Sequence, residues 1–261
     1  MASNLDLTRR DQIACLTLKR PDSYNALDLA LAQELAAALV GLGTDPAVYG
    51  VVITGAGKAF SAGGDIKRAL EHPHGPPAAF HELAAVVHLA VTEIRRMRKP
   101  VVAAINGVAA GGGFSLALAC DFRVMARSAR LKQGFTSSGL CIDAGGTFTL
   151  PRLVGLARAL EIAAFDEPIT AEQALAWGLV TQVVADDALL DEALALARRV
   201  AAGSLHTFAE VKALLTDSFD TSWETQLERE RQGLVRCVAH PDGAEGLRAF
   251  VEKRPPQFHQ G

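Results

Sequence analysis

Short apolar segments and amphipathic stretches alternate over the first 130 residues of the chain. Residues 12–18 (QIACLTL) alternate polar and apolar positions, which predicts a half-buried strand, and residues 28–42 place leucines at helical spacing. The apolar runs at 50–55, 101–105 and 121–126 are too short for typical helices, and turn-forming residues flank them. They predict buried strands, and the alternation as a whole predicts an α/β fold.

The second half of the chain is predicted to be mainly helical. Before this half, one long helix is predicted over residues 78–98, with basic side chains in its last turn, where the helix dipole favours them. Thr170 with Gln173, and Thr221 with Glu224, have the spacing of capping boxes at helix starts. Helices are predicted at 155–164, 171–177, 187–202, 205–217, 221–237 and 241–251.

The change of pattern near residue 200 suggests how the chain is organised. Residues 71–77 (EHPHGPP) are rich in proline and predict a surface loop. We expect an α/β core domain over residues 1–200, followed by a helical region over residues 201–261.

Composition narrows the class of protein without identifying a function. The 261 residues are 49% hydrophobic and 21% charged, with a net charge of −3. This balance is typical of a soluble globular protein and gives no reason to expect nucleic acid or an anionic membrane surface as a partner. The four cysteines form no CxxC pair, so no metal site is predicted. The N-terminus carries charges every few residues and no apolar run approaches a membrane span, so we expect a cytoplasmic location.

Two glycine-rich loops follow predicted buried strands, and each precedes a helix. They are AFSAGGDIK (59–67) and NGVAAGGGFS (106–115). A helix start offers free backbone N–H groups, and glycine lets a ligand approach them closely. Two such loops facing each other would form an oxyanion hole. Tight turns without chemistry remain the alternative. A phosphate-binding loop is excluded because Gly57-Lys58 is followed by Ala59 rather than Ser or Thr.

Four segments together resemble the enoyl-CoA hydratase/isomerase (crotonase) superfamily in their order and spacing. They are AFSAGGDIK, KPVVAAINGVAAGGGFSLALACDFRVMARSARL, IDAGGTFTLPRLVG and ITAEQALAWGLVTQVV. The resemblance extends from about residue 12 to about residue 258. It is strongest to the 1,2-epoxyphenylacetyl-CoA isomerase group, through SGLCIDAGGTFTLPRLVG and the terminal RPPQF.

The resemblance implies a crotonase (ClpP-like) fold, in which repeated ββα turns form a superhelix and a C-terminal helical region supports trimerisation. It implies an acyl-CoA thioester as ligand and a homotrimer or a hexamer as assembly, with coenzyme A part of the substrate and no other cofactor. The thioester oxygen would lie between the N–H groups of Gly64 and Gly112. The residues implied to lie along coenzyme A are Gly64, Asp65, Ile66 and Lys67, with Lys253 as a contact to the coenzyme A of a neighbouring subunit. The alternative for Lys253 is a solvated charge at a helix end.

The acid and base groups of this family vary, and here they argue against hydration. A hydratase carries glutamates at the positions that are Ser115 and Phe135 in this chain. Water addition needs one group to activate water and another to protonate the α-carbon, and neither residue does so well. Asp143 remains, and the resemblance implies that it is the general base of an acyl-CoA isomerase. The alternative for Asp143 is a helix N-cap.

The presence of His88 is consistent with a second reaction, in which Asp143 acts as a nucleophile. A resemblance to the 4-chlorobenzoyl-CoA dehalogenases would make His88 the base and Asp143 a nucleophile, although those enzymes carry a tryptophan where this chain has Phe135. The alternative for His88 is a histidine packed within a helix face. A thioester hydrolase with Asp143 as nucleophile, a hydratase-type lyase and an inactive CoA-binding relative also remain open.

The acyl group is predicted only in outline. Phe114, Phe135, Leu140 and Phe148 fall in segments that would line the acyl pocket, and they suggest an apolar, aromatic or cyclic acyl group. The same residue types are more often part of a hydrophobic core, so that alternative stays open as well.

Overall fold

A computed structural model describes residues 3–259 of the chain. The described residues form the following strands: β1 Leu5–Arg10, β2 Ile13–Leu18, β3 Gly50–Gly55, β4 Ala59–Ser61, β5 Val101–Ile105, β6 Val108–Ala110, β7 Phe122–Ala126, β8 Arg130–Lys132, β9 Ile169–Thr170 and β10 Gln182–Val184. The helices are α1 Leu29–Thr44, α2 Ile66–Leu70, α3 Gly75–Arg96, α4 Gly112–Ala119, α5 Gly146–Phe165, α6 Ala171–Ala176, α7 Leu189–Ala201, α8 Leu205–Asp217, α9 Trp223–Ala239 and α10 Pro241–Glu252.

The strands form two sheets, and from β3 to β8 successive strands along the chain alternate between them in a repeated pattern. The larger sheet has the order β1-β2-β3-β5-β7-β10, and only β1 runs antiparallel to its neighbour. The smaller sheet has the order β4-β6-β8-β9, with β9 antiparallel to β8. The strand pairs β3/β4, β5/β6 and β7/β8 each place one strand in each sheet before the chain enters a helix. This is the repeated ββα arrangement that the resemblance implied.

The parallel strands of the larger sheet form the centre of the core. Every residue of β5 is buried, and β2 and β3 are buried except for one partly exposed residue each. Strands buried on both faces are expected in parallel sheets, because helices cover each side. Helices α1 and α7 supply that cover with leucine and alanine side chains.

A buried ion pair anchors the C-terminal helices to the core. Lys212 on α8 donates from Nζ to Asp121 Oδ2 at 2.8 Å and to the backbone oxygen of Ile94 at 2.8 Å. The same Asp121 oxygen accepts the N–H of Val101 at 2.8 Å. Burial raises the pKa of the Asp121 carboxyl, and the Lys212 ammonium opposes this shift.

The predicted division between residues 1–200 and 201–261 falls at the end of α7 and stays a prediction.

Several predicted helix boundaries need correction. Residues Gly75, Pro76 and Pro77 belong to the first turn of α3 and not to a surface loop, because proline fits the first turn of a helix, where its missing N–H has no intrahelical role. Helix α3 ends at Arg96 and not at residue 98. Helix α5 begins at Gly146, nine residues before the predicted start at 155, and its backbone breaks at Gly155.

The two capping-box predictions have different outcomes. Thr170 and Gln173 exchange both bonds of a capping box at the start of α6, which confirms that prediction. Helix α9 is capped by Ser222, whose side chain accepts the N–H of Thr225, so the predicted start at Thr221 is wrong by one residue. Among residues 3–259, no helix is both long enough and apolar enough to cross a bilayer.

Candidate active site

The two glycine-rich loops lie against each other at one edge of the smaller sheet. A methyl group on Gly112 would lie 3.8 Å from the nitrogen of Gly64, and one on Gly63 would lie 2.8 Å from the nitrogen of Gly112. Gly63 also has a φ of +90°, which favours glycine. The approach of the two backbones therefore requires glycine at position 63.

The N–H groups of Gly64 and Gly112 have no acceptor within residues 3–259. Gly64 lies beside Leu27 in an isolated parallel bridge, but the bonds of this bridge use the oxygen of Gly63 and the N–H of Asp65. Gly112 is the first residue of α4, where backbone N–H groups have no intrahelical partner. Two unpaired donors from adjacent loops match the arrangement of an oxyanion hole.

Asp143 and His88 form a hydrogen-bonded pair. His88 Nε2 lies 2.7 Å from Asp143 Oδ1, and both side chains are about half exposed. Because an ionised carboxylate only accepts hydrogen bonds, this contact requires the proton of a neutral His88 to lie on Nε2. The N-cap alternative for Asp143 is wrong, since Gly145 is the N-cap residue of α5 and the Asp143 side chain faces His88. The alternative of a histidine packed within a helix face is also wrong, because His88 is exposed.

A cavity of about 510 Å³ brings four of the predicted site residues together, namely Gly64, Gly112, Phe135 and Asp143. Most of its wall is hydrophobic, and Asp143 is the one carboxylate that lines it among the described residues. His88 is not among the residues that line the cavity, but it contacts Asp143, which does. The space can hold a small ligand group with the free N–H pair and a carboxylate in the same compartment.

One face of helix α3 forms a large part of this wall, and the sequence analysis placed parts of residues 68–90 there without naming the lining residues. Phe80, His81, Leu83, Ala84 and Val87 line the cavity at spacings of one, three and four residues. The i, i+3, i+4 pattern of one helix face could have revealed them. A methyl group on Gly64 would lie 3.3 Å from Phe80 Cε1, so α3 packs directly against Gly64.

The predicted aromatic and apolar wall is correct only in part. Phe135 and Leu140 line the cavity, whereas Phe114 is fully buried in the core and Phe148 packs under the guanidinium groups of two arginines. The core alternative weighed for these residues therefore holds for Phe114.

The two positions where a hydratase carries glutamate differ sharply in this fold. Ser115 is fully buried, and its Oγ has no hydrogen-bond partner within the described residues. A methyl group on Gly146 would lie 2.6 Å from that oxygen, so the first residue of α5 packs closely against Ser115. Phe135 is partly exposed and presents a ring to the cavity. Neither position offers a carboxylate.

The residues implied to lie along coenzyme A have distinct surroundings. Asp65 uses its side chain internally, because it accepts from Arg20 Nη2 at 2.8 Å and caps α2 through the N–H of Arg68. Burial raises the pKa of the Asp65 carboxyl, but the bonds from Arg20 and Arg68 outweigh that effect and the pKa lies below its usual value. Ile66 and Lys67 are exposed on the outside of α2. Lys253 is exposed at the end of α10.

A buried aspartate holds the segment that leads to Asp143. Asp166 follows α5 with a φ of 48°, and its two oxygens accept the N–H groups of Gly134 at 2.7 Å and Ser137 at 3.1 Å. Phe135 lies between these two anchored residues. Thr136 Oγ1 also donates to the backbone oxygen of Ala163 at 2.6 Å. The far end of α5 therefore fixes one wall of the cavity.

No group of three or more His, Cys, Asp or Glu side chains within residues 3–259 is arranged to hold a metal ion. His72 lies 3.5 Å from Glu82, its ring is tilted by 57° against that of His74, and these three side chains lie outside the cavity that holds Asp143. The cavity that holds Asp143 is also lined by the backbone of Gly64 and Gly112.

Comparison with known proteins agrees with this geometry. Residues 8–261 match the model of the family described as enoyl-CoA hydratase/isomerase. The chain belongs to this family. A 1,2-epoxyphenylacetyl-CoA isomerase from Escherichia coli (strain K12) is 36% identical over 94% of this chain and 94% of its own length. A 4-chlorobenzoyl coenzyme A dehalogenase-2 from Arthrobacter sp is 34% identical over 97% of this chain and 94% of its own length.

A solved structure of an enoyl-CoA hydratase from Polaromonas sp. JS666 has the same fold. It superposes with a TM-score of 0.92 at 36% identity, covering 97% of this chain and 98% of that one. The predicted crotonase fold is thus confirmed for this member of the enoyl-CoA hydratase/isomerase family. The three relatives carry the names of an isomerase, a dehalogenase and a hydratase, so family membership alone does not select the reaction.

Proposed function

We propose that this protein is an acyl-CoA isomerase in which Asp143 moves a proton along the acyl chain while the N–H groups of Gly64 and Gly112 stabilise a thioester enolate. The observation that carries this proposal is the pairing of those free N–H groups with a single lining carboxylate in one hydrophobic cavity. Coenzyme A enters as part of the substrate.

The proposed reaction needs only one base. The thioester oxygen accepts the two N–H bonds, and Asp143 removes a proton from the carbon next to the thioester or from its vinylogous position. The electron pair moves onto the thioester oxygen, where each backbone donor typically contributes about 3–4 kcal/mol to stabilising the transition state. Asp143 then returns the proton to a different carbon. The product has the same composition as the substrate, and its double bond is shifted.

His88 gives Asp143 a fixed orientation in this scheme. Its Nε2–H holds Oδ1 at 2.7 Å, which leaves Oδ2 available for the proton in transit. Hydration is disfavoured because Ser115 is sealed in the core and Phe135 carries no ionisable group.

Incubation with a panel of CoA thioesters in heavy water, followed by mass spectrometry, tests the reaction class. The panel contains crotonyl-CoA, a 3-enoyl-CoA, a dienoyl-CoA, an epoxyphenylacetyl-CoA and a 4-halobenzoyl-CoA. We expect products of unchanged composition, apart from deuterium, with at least one member. Asp143→Asn should reduce this rate by a factor of about 10³ or more, in the range of the loss of an essential acid/base group.

The controls separate loss of chemistry from loss of binding. His74→Gln alters a histidine at the start of α3 that does not line the cavity, and it should leave the rate unchanged. The affinity for free coenzyme A should stay within about twofold in Asp143→Asn. A product heavier by one water, or full activity of Asp143→Asn, would refute the isomerase assignment.

The His88–Asp143 contact favours one further candidate, an Asp-nucleophile dehalogenase. In that reaction an Asp143 oxygen attacks the ring carbon that carries the halogen, and the halide leaves with its electron pair. An aryl ester on Asp143 results. His88 then takes a proton from water, and the hydroxide cleaves the ester at the Asp143 carbonyl carbon. Halide release and transfer of ¹⁸O from labelled water into Asp143 would select this candidate over the isomerase.

We also propose that coenzyme A lies along the exposed side of α2, at Ile66 and Lys67, and that Lys253 contacts the coenzyme A of a neighbouring subunit in a trimer or hexamer. The internal bonds of the Asp65 carboxylate leave only its backbone for the ligand. Light scattering measures the assembly, and Lys253→Ala should raise the KM of any accepted thioester without changing kcat.

A further inference from the structure

Polar side chains are rare in the wall of the acyl cavity. Among its described lining residues only His81, Cys141 and Asp143 carry them. Asp143 is engaged with His88, and a thiol is a weak hydrogen-bond donor and acceptor. His81 is therefore the strongest neutral hydrogen-bonding group that the wall offers away from the Asp143–His88 pair.

His81 has no polar partner within the described part of the chain. It is exposed, lines the cavity, and forms no hydrogen bond, ion pair or ring contact with another described residue. Its neighbours on the same helix face are hydrophobic or small. Ala84, one turn further along α3, also lines the cavity and has a short side chain.

The position of His81 along α3 separates it from the reacting end of the cavity. His81 and His88 are seven residues apart, which corresponds to about 10 Å along a helix axis. Because His88 contacts Asp143, a group bound at His81 lies remote from the carbons between which Asp143 would transfer a proton. Phe80 and Phe135 line the space as well and offer ring faces to an aryl or cyclic acyl group.

We infer that His81 is a specificity-determining residue that selects acyl groups carrying an oxygen substituent, such as a hydroxyl or oxo group, remote from the reacting carbons. The inference rests on the proposed function, since it assumes that this cavity holds the acyl group of a CoA thioester. A neutral imidazole has one donor and one acceptor nitrogen, so it can donate to an oxo group or accept from a hydroxyl. His81 binds the substituent and transfers no proton in the reaction.

The test measures the dissociation constants of matched thioesters. The probes are free coenzyme A, phenylacetyl-CoA, and 3-hydroxyphenylacetyl-CoA and 4-hydroxyphenylacetyl-CoA, titrated calorimetrically into the intact protein. We expect at least one hydroxylated probe to bind about 3- to 10-fold more tightly than phenylacetyl-CoA, the range of one neutral hydrogen bond. His81→Phe should abolish this preference, and His81→Gln, which keeps a donor and an acceptor, should retain part of it.

His74→Phe is the matched control, because it alters an exposed histidine of the same helix region outside the cavity. It should leave the preference intact. The inference is overturned if the wild-type protein shows no preference for either hydroxylated probe, if the preference survives in His81→Phe, or if His81→Phe weakens free coenzyme A equally. If phenylacetyl-CoA and both hydroxylated probes bind no better than free coenzyme A, the proposed acyl-CoA function fails together with the inference.

Discussion

Replacement of Asp166 by glycine tests whether the Asp166 carboxylate stabilises the segment that forms one wall of the cavity. The carboxylate is almost completely buried and accepts two backbone N–H groups from the segment that carries Phe135. Glycine suits the φ of 48° better than any other residue, so Asp166→Gly removes the side chain without straining the backbone. The variant therefore isolates the contribution of the carboxylate.

The expected loss follows from the two bonds. A hydrogen bond to a charged group contributes about 1.5–3 kcal/mol, so two bonds correspond to about 3–6 kcal/mol. Relief of the left-handed conformation contributes about 1 kcal/mol in the opposite direction. Water can reach residues Thr136–Leu140, which are exposed, and it would satisfy part of the lost bonding. We expect the free energy of unfolding to fall by about 3 kcal/mol, near the lower end of the hydrogen-bond range.

Urea denaturation at several pH values provides the measurement. Burial raises the pKa of Asp166, but hydrogen bonds from Ser137 and Gly134 outweigh it, and the folded-state pKa lies below the usual value. A lowered folded-state pKa gives stability that is present above the unfolded pKa of about 3.9 and is lost as the pH falls through the folded value. The difference between wild type and Asp166→Gly should be constant above about pH 5 and shrink below pH 4.

Asp186 supplies a control, since its carboxylate is exposed and accepts the backbone N–H of Ser128 at 3.1 Å. Asp186→Gly should cause a clearly smaller loss. The reasoning about Asp166 is refuted if Asp166→Gly costs under about 1 kcal/mol at pH 7, below a single charged hydrogen bond, or if its effect does not change down to pH 3.

Four further substitutions test other parts of the structure by the same denaturation assay. Ser115→Ala removes a buried hydroxyl without a described partner, so stability should be unchanged or higher, and loss of turnover in this variant would contradict its exclusion from the chemistry. Gly41→Ala should stabilise α1 by about 0.5–1 kcal/mol, because nothing lies within 4 Å of the added methyl group. Gly113→Ala should destabilise the protein, because its methyl group would lie 2.3 Å from a backbone oxygen, and equal effects of the two alanines would contradict this account. Lys212→Met should cost about 3–5 kcal/mol by leaving the buried Asp121 carboxylate without its cation, and a loss below 1 kcal/mol would show that water replaces the ammonium.

The parts of the fold that could be predicted are those with a long enough periodic pattern. The six-residue strand at 50–55 and the long helix α3 extend over several periods, and their predicted positions agree with the structure within three residues. Strands β4, β6 and β8 have three residues each, which is too short to establish an alternating pattern, so the smaller sheet was not predicted. Two neighbouring residues could each have capped α9. The predicted cap was Thr221, whereas the structure uses Ser222, whose side chain accepts the N–H of Thr225.

The site was predictable where family motifs carry it and unpredictable where only tertiary packing creates it. Gly64, Gly112 and Asp143 lie in segments of recognisable order and spacing. The contact between His88 and Asp143 joins residues that are 55 positions apart, and no local pattern indicates it. The lining role of His81 depends equally on the packing of α3 over the glycine loops. The anchoring role of Asp166 depends on a carboxylate that reaches across to residues 134 and 137.

The use of backbone N–H groups as the paired donors has a consequence for how this protein can change. These two donors exist whatever side chains surround them, so ordinary substitutions in the cavity cannot delete them as long as the glycine loops keep their path. Under the proposed function, replacement of a wall residue would therefore alter the reacting group or the accepted substrate and leave the two N–H donors to the thioester oxygen in place. Donors that come from the backbone would tolerate many different side chains around them. Directed evolution towards new thioester chemistry could therefore begin from single substitutions at positions such as 81, 88 or 135.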